Sequence, residues 1–200
     1  PKLGMLALML GAYEPLFPGI KARQEAYVQE VIETLSQEAD FVFPGAALGR
    51  EEIEKYTEQF HQQDLDGIVI LLLSYSEGQY LVRAMQNCRL PIAMILIQPD
   101  ETVGEDFEEI DLTVNQAIHG TQDNANCLMR AGIDCIYFAG SRKDGSLNRF
   151  IADFGQAALT VKQLKNMKIG VIGKLAGMGD VITDDMAFFR KVGPVFTYDS

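Results

Sequence analysis

Short apolar segments alternate with longer amphipathic stretches along this chain. Apolar residues recur at helical spacing in several stretches, and the clearest of these stripes lie in segments 28–35, 53–60 and 147–161. Five apolar segments predict strands: 2–10, 41–43, 68–73, 91–97 and 136–139. Segment 2–10 is continuously apolar, as expected of a strand buried on both faces, and 68–73 is the most clearly buried of the others. The alternation predicts parallel βαβ units in an α/β fold, an open doubly wound parallel sheet of flavodoxin-like or Rossmann-like kind.

A helical stretch is also predicted after the acidic connection that follows the fourth apolar segment. It runs from about residue 111 to Arg130, and Gly132 ends it. A basic, polar segment at 163–168 marks a possible domain boundary. We predict an amino-terminal α/β domain over residues 1–165 and the start of a second α/β domain over residues 166–200. In the alternative, residues 168–200 complete the first sheet, because one βαβ unit cannot bury both of its faces alone.

Charge and cysteine content narrow the class of protein. The 200 residues carry a formal net charge of −11, which disfavours nucleic-acid and anionic-membrane partners. The first apolar segment is too short to span a membrane. Three cysteines without close pairing make a poor disulfide framework or zinc site, so we expect reduced thiols in a cytoplasmic protein.

The loops after the predicted strands hold most of the unusual residues, and ligands of open parallel sheets bind there. Tyr13 and Phe17 in the first loop offer aromatic faces to a neutral sugar or a subunit contact, or else pack in the core. Segment 74–76 offers two hydroxyls and the Tyr75 phenol to a polyol, or else caps the next helix. Segment 173–180 contains Gly-x-Gly but lacks the third glycine of a dinucleotide loop.

The segment Asn115-Gln116-Ala117-Ile118-His119-Gly120 contains one of the two histidines. Gln116 and His119 are three residues apart, so on a helix they share a face. Such a pair can hold sugar hydroxyls, with His119 as donor, acceptor or proton carrier. The alternative is a buried histidine satisfied by a backbone carbonyl, or a helix-end interaction. The sequence contains neither His-Glu-x-x-His nor a recognisable nucleophile setting, so no self-contained catalytic site is visible.

Segment 115–120 is similar to the Asn-Gln-x-x-His-Gly segment of L-arabinose isomerases and their L-fucose-isomerase-like relatives. Shorter similarities follow in the same order along nearly the whole chain: Leu8-Met9-Leu10 with Tyr13 and Phe17-Pro18-Gly19, Phe43-Pro44-Gly45 with Arg50-Glu51-Glu52, Tyr137-Phe138-Ala139-Gly140, and Gly177-Met178-Gly179-Asp180. The chain thus resembles the amino-terminal portion of a sugar isomerase.

The resemblance implies a manganese-dependent aldose–ketose isomerase whose metal ligands, two Glu and two His, lie outside this chain. Gln116 and His119 match two sugar contacts, with His119 the catalytic candidate. Tyr75 falls near a third contact and Met178 near a fourth. The family forms homo-oligomers, hexamers or trimers, in which this domain contacts sugar across a subunit interface.

Two departures from the family pattern leave the sugar open. The first loop lacks Gln-x-Leu-Tyr-Gly, and Gly140-Ser141-Arg142 stands where arabinose isomerases have Gly-His-Trp. We expect this chain alone to be inactive, because the metal ligands lie elsewhere. Two alternatives remain: a stand-alone sugar-binding or regulatory module without catalysis, and a domain whose main role is oligomerisation.

Overall fold

A computed structural model of the chain describes residues 1–172 and 184–199. Five parallel strands form one sheet in the order β2-β1-β3-β4-β5. Their bounds are β1 Lys2–Leu8, β2 Asp40–Val42, β3 Gly67–Leu72, β4 Ile92–Leu96 and β5 Ile136–Ala139. Because strand order reverses at β1, the sheet is doubly wound, of the flavodoxin-like kind. The predicted fold class is confirmed.

Eight helices are described, and most of them connect the strands. Their bounds are α1 Tyr13–Leu16, α2 Ile20–Thr34, α3 Arg50–Gln62, α4 Gly78–Gln86, α5 Glu109–Val114, α6 Ala117–Arg130, α7 Ser146–Asn166 and α8 Asp185–Lys191. α1 is a single helical turn inside the segment that the sequence predicted as a loop.

The stretch between residue 111 and Arg130 is two helices, so the prediction of one continuous helix was wrong. Asn115 causes the break. Its Nδ2 donates to the carbonyl oxygen of Asp111 at 2.8 Å and to Oδ2 of Asp100 at 2.9 Å. The backbone N–H of Asn115 also bonds to the Asp111 carbonyl oxygen, but the next N–H, that of Gln116, bonds to Thr113 only three residues back, so α5 ends with Asn115 as its C-cap residue. α6 then begins after Gln116, its N-cap residue.

The core lies in two layers, one on each face of the sheet. Alternate residues of a strand point to opposite faces, so Met5 of β1 packs on one side and Leu6 on the other. α2 and α7 cover the Met5 face through apolar residues that include Val28, Val31, Leu147, Ile151 and Phe154. α3, α4 and α6 cover the Leu6 face through Ile53, Phe60, Leu81, Met85 and Leu128.

The chain divides into two compact units, Pro1–Gln156 and Ala157–Ser200. This division lies inside α7, earlier than the predicted boundary after residue 165. In the second unit β6 Lys168–Ile172 and β7 Val195–Asp199 pair in parallel and form a sheet of their own. Within residues 1–172 and 184–199, we find no helix with the length and apolar character needed to cross a membrane.

Candidate functional site

Three loops converge where β1, β2 and β3 end. The N–H of Leu10 donates to the carbonyl oxygen of Tyr75 at 2.8 Å, and the N–H of Gly11 donates to that of Leu48 at 2.9 Å. These bonds join the loop after β1 to the loops after both neighbouring strands. β1 and β3 flank the point at which strand order reverses, where open α/β sheets bind ligands.

α1 places Tyr13 against the junction between α5 and α6. The Tyr13 hydroxyl donates to Oε1 of Gln116 at 3.2 Å, across 103 positions of sequence. Burial raises the pKa of the Tyr13 phenol. Phe17, the C-cap residue of α1, is half-buried and packs against the core layer of α2 and α7. Tyr13 packs against the same layer, so the two aromatic candidates differ in that Tyr13 also binds Gln116.

The turn between α1 and α2 is held by Glu14. Its two carboxylate oxygens accept hydrogen bonds from the N–H groups of Gly19 at 2.9 Å and Lys21 at 2.8 Å. These two bonds lower the pKa of Glu14. Because Gly19 has a positive φ of 92°, glycine is the residue that fits this turn. The turn fixes the start of α2 and with it the position of Tyr13.

His119 lies on the first turn of α6, which is held close to the end of β3. A Cβ built on Gly120 lies 2.5 Å from the carbonyl oxygen of Ser74, so only glycine permits this approach. The fully buried Asn124 donates from Nδ2 to the carbonyl oxygens of Ser76 at 2.8 Å and Gly120 at 2.9 Å. This contact places His119 at the carboxyl edge of the sheet, where it is exposed.

The imidazole of His119 makes no hydrogen bond or ion pair with any residue that the structure describes. Its exposure excludes the alternative of a buried histidine satisfied by a backbone carbonyl. The ring is therefore open to a ligand at the carboxyl edge.

A second hydrogen-bonded tyrosine, Tyr75, contacts α6 one helical turn beyond His119, at Asp123. The Tyr75 hydroxyl donates to Oδ2 of Asp123 at 3.1 Å, and the N–H of Gly78 donates to the same oxygen at 3.1 Å. The hydrogen bond to Asp123 is the main cause that raises the pKa of Tyr75. Asp123 was not predicted as a site residue, although its position four residues after His119 places it on the same helix face.

The serines beside Tyr75 take no part in the exposed surface. Ser74 is 0% and Ser76 3% exposed, so their hydroxyls cannot reach a polyol. The N-cap of α4 is Glu77, so the serines do not cap that helix. Both predicted roles for these hydroxyls were wrong, and the Tyr75 phenol is what this loop presents.

Gln24 of α2 ties the neighbouring loops together from beneath. The side chain is buried, and Nε2 donates to the carbonyl oxygens of Leu73 at 2.5 Å and Val114 at 3.2 Å. One amide therefore links the end of β3 to the end of α5. Gln24 lies before the predicted helical stripe at 28–35, and the sequence contains no sign that this polar residue is buried.

A cleft of about 360 Å³ lies beyond the ends of β4 and β5. Gln98 on its wall donates to the carbonyl oxygen of Asn115, which connects the cleft to the Gln116 region. On the opposite wall, Arg142 pairs with Glu30 at 3.1 Å and lies 5.3 Å from the ring centre of Tyr27. In this arrangement Arg142 packs on α2, at the place where the isomerase resemblance departs from its pattern.

Met178, the fourth candidate sugar contact, lies outside the described residues, as does the Gly-x-Gly segment around it. Across residues 1–172 and 184–199, no three His, Cys, Asp or Glu side chains are grouped so that they could hold a metal ion. The described residues therefore do not fit manganese, and we derive no chemical step through a metal.

No protein-family model matches the chain, and no curated protein sequence matches it significantly.

Proposed function

We propose that this chain supplies sugar contacts to a metal-dependent aldose–ketose isomerase of the arabinose or fucose isomerase type. The observation that carries the proposal is the exposed His119 in the first turn of α6, three residues after Gln116, which binds Tyr13, and four residues before Asp123, which binds Tyr75. The similarity of segment 115–120 to the isomerase motif adds the reaction class. Manganese and its ligands would come from other parts of a cytoplasmic homo-oligomer.

In the proposed role these residues bind and orient an open-chain sugar. Oε1 of Gln116 accepts the Tyr13 proton, so Nε2 remains to donate to a sugar oxygen. The imidazole of His119 can accept a proton from one sugar hydroxyl or donate one to its neighbour. The phenols of Tyr13 and Tyr75 add hydrogen-bonding oxygens and apolar ring faces.

A sugar-binding or regulatory module without catalysis is the second candidate. Besides Asp123, whose carboxylate accepts hydrogen bonds from Tyr75 and Gly78, the groups named beside His119 are an amide and two phenols, which bind ligands well but rarely act as bases near neutral pH. Sugar binding by the 200-residue chain on its own would favour this alternative.

Replacing His119 with alanine tests the proposal. In the natural protein assayed with MnCl₂, His119→Ala should lower kcat for aldose-to-ketose conversion about 100-fold or more, the usual cost of losing a general acid or base. The melting temperature should not change, because the imidazole contacts no described partner. His61→Ala, at the other histidine, is the matched control and should keep full turnover.

Unchanged turnover together with a lower melting temperature would show that His119 is structural and would refute the proposal. If wild type shows no isomerisation, NMR titration with free pentoses and hexoses distinguishes the binding module. A sugar that shifts the His119 signals supports the second candidate.

A further inference from the structure

The hydrogen bond between Tyr75 and Asp123 has a fixed direction. An ionised carboxylate can only accept, so Tyr75 donates its single phenolic proton to Oδ2 of Asp123. The same carboxylate oxygen accepts the N–H of Gly78 at the start of α4, which keeps the carboxylate from turning away. The phenol oxygen of Tyr75 is thus left to the site as an acceptor.

Tyr13 is arranged in the same way. Its proton is donated to Oε1 of Gln116, so its oxygen also presents lone pairs, while Nε2 of Gln116 presents N–H groups. The surface around His119 therefore offers two phenolic acceptors and one amide donor. A hydroxyl group, which donates and accepts at once, satisfies both the phenolic acceptors and the donors, whereas a carboxylate or phosphate oxygen satisfies only the donors, which are Nε2 of Gln116 and an N–H of His119.

We infer that Asp123 is a positioning residue that orients Tyr75 as an acceptor and so selects neutral, hydroxyl-bearing ligands over carboxylates and phosphates. The inference rests on the proposed function, since it assigns the ligand class of the same site. An anionic oxygen cannot donate to the Tyr75 phenol oxygen, and the negative charge of Asp123, hydrogen-bonded to that phenol, would repel it. A site built around a hydroxyl rejects a ligand that cannot supply the matching proton.

The first test follows the Tyr75 proton without any ligand. In protein carrying [¹³Cζ]tyrosine, Asp123→Ala should lower the pKa of Tyr75 toward the ordinary tyrosine value of 10.0, because its main cause of elevation is removed. Tyr80, which is hydrogen-bonded to Glu77, is the internal control and should titrate as in wild type. A Tyr75 titration that is the same in both proteins would overturn the inference and leave the proposed function standing.

The second test compares L-arabinose with L-arabinonate, its carboxylate analogue, by NMR titration of the natural protein, the same protein as in the turnover assay. Wild type should bind the neutral sugar at least tenfold more tightly. Tyr75→Phe should weaken L-arabinose binding about tenfold, the loss of one hydrogen bond, and should weaken L-arabinonate binding less, because a carboxylate cannot donate to the phenol oxygen. Tyr80→Phe is the matched control and should change neither affinity.

The outcomes distinguish failure of the inference about Asp123 from failure of the proposed function. Equal affinity of wild type for both ligands overturns the inference alone, because the site still binds sugar. An equal loss of affinity for both ligands in Tyr75→Phe also overturns the inference, since the phenol would then contribute equally to binding of the neutral and the charged ligand. Absence of binding by either ligand overturns the proposed function and the ligand assignment together. The Tyr75→Phe variant keeps the Asp123–Gly78 bond, which protects the test against loss of the fold.

Discussion

β3 and β6 are both short apolar strands in a parallel sheet, yet their surroundings differ. Every residue of β3 is buried, whereas β6 alternates between exposed and half-buried residues and ends on Ile172, 89% exposed. β3 lies between β1 and β4 and has helices on both faces, while β6 pairs with β7 in a separate sheet. An apolar run thus predicts a strand, and the position in the sheet decides how much it stabilises.

The largest difference in stability is expected when one apolar side chain in each strand is truncated to alanine. Leu71→Ala in β3 should lower the free energy of unfolding by about 3 kcal/mol, because it leaves a cavity in a closed core. Ile172→Ala in β6 should change it by less than about 0.5 kcal/mol. Urea titrations followed by circular dichroism measure both values. Similar losses would show that β6 is buried in solution.

Substituting one glycine by alanine in each unit should give a smaller difference in the free energy of unfolding. Gly120→Ala should cost about 2 kcal/mol, since its Cβ would meet the Ser74 carbonyl oxygen and drive α6 away from β3. Gly170→Ala in β6 should cost less than about 0.5 kcal/mol, because the nearest atom to its Cβ is 3.9 Å away. Thermal melts of the two variants check the difference. A Gly120→Ala protein as stable as wild type would contradict the close approach of α6.

The smallest effect on stability is expected at Tyr27 of α2, in the unit Pro1–Gln156. Its hydroxyl is buried and has no hydrogen-bond partner among the described residues. Tyr27→Phe should therefore raise the free energy of unfolding at pH 7 by about 1 kcal/mol, while Arg142 keeps a ring to pack on.

The same variant has a predicted pH dependence. Burial raises the pKa of Tyr27 above its ordinary value of 10.0, with Arg142 opposing the shift. Unfolding then releases a proton above pH 10, so wild-type stability should fall as the pH rises from about 10. The advantage of Tyr27→Phe should grow over that range in urea titrations at successive pH values. A variant less stable than wild type at pH 7 would indicate a partner for the hydroxyl.

Most of the fold could be predicted because period and length in the sequence report burial directly. The apolar segments matched all five strands of the sheet. β1, β3 and β4 are largely buried, and such strands tolerate little polarity, whereas the edge strands β2 and β5 are half-buried or exposed. The break between α5 and α6 could not be predicted. It depends on Asn115 binding the Asp111 carbonyl and Asp100, and Asp100 belongs to a distant loop.

The site could be predicted only in part. Gln116 and His119 stood out by residue type and spacing. Asp123 did not, because its role depends on Tyr75, 48 positions away, and on the start of α4. The buried positions of Ser74 and Ser76 were also hidden, since the approach of Gly120 closes that surface. Tertiary partners decide such roles, and sequence spacing does not contain them.

The buried amide of Gln24 gives the site its own spectroscopic reporter. Its Nε2 protons bond to the carbonyl oxygens of Leu73 and Val114. Leu73 directly precedes the loop that contains Tyr75, and Val114 directly precedes the Asn115–Gln116 junction. Side-chain ¹⁵N–¹H signals of glutamine resolve well, and burial slows their exchange with solvent. Movement of either loop on ligand binding would shift this one resonance pair, so the response of the edge can be followed without labelling the site itself.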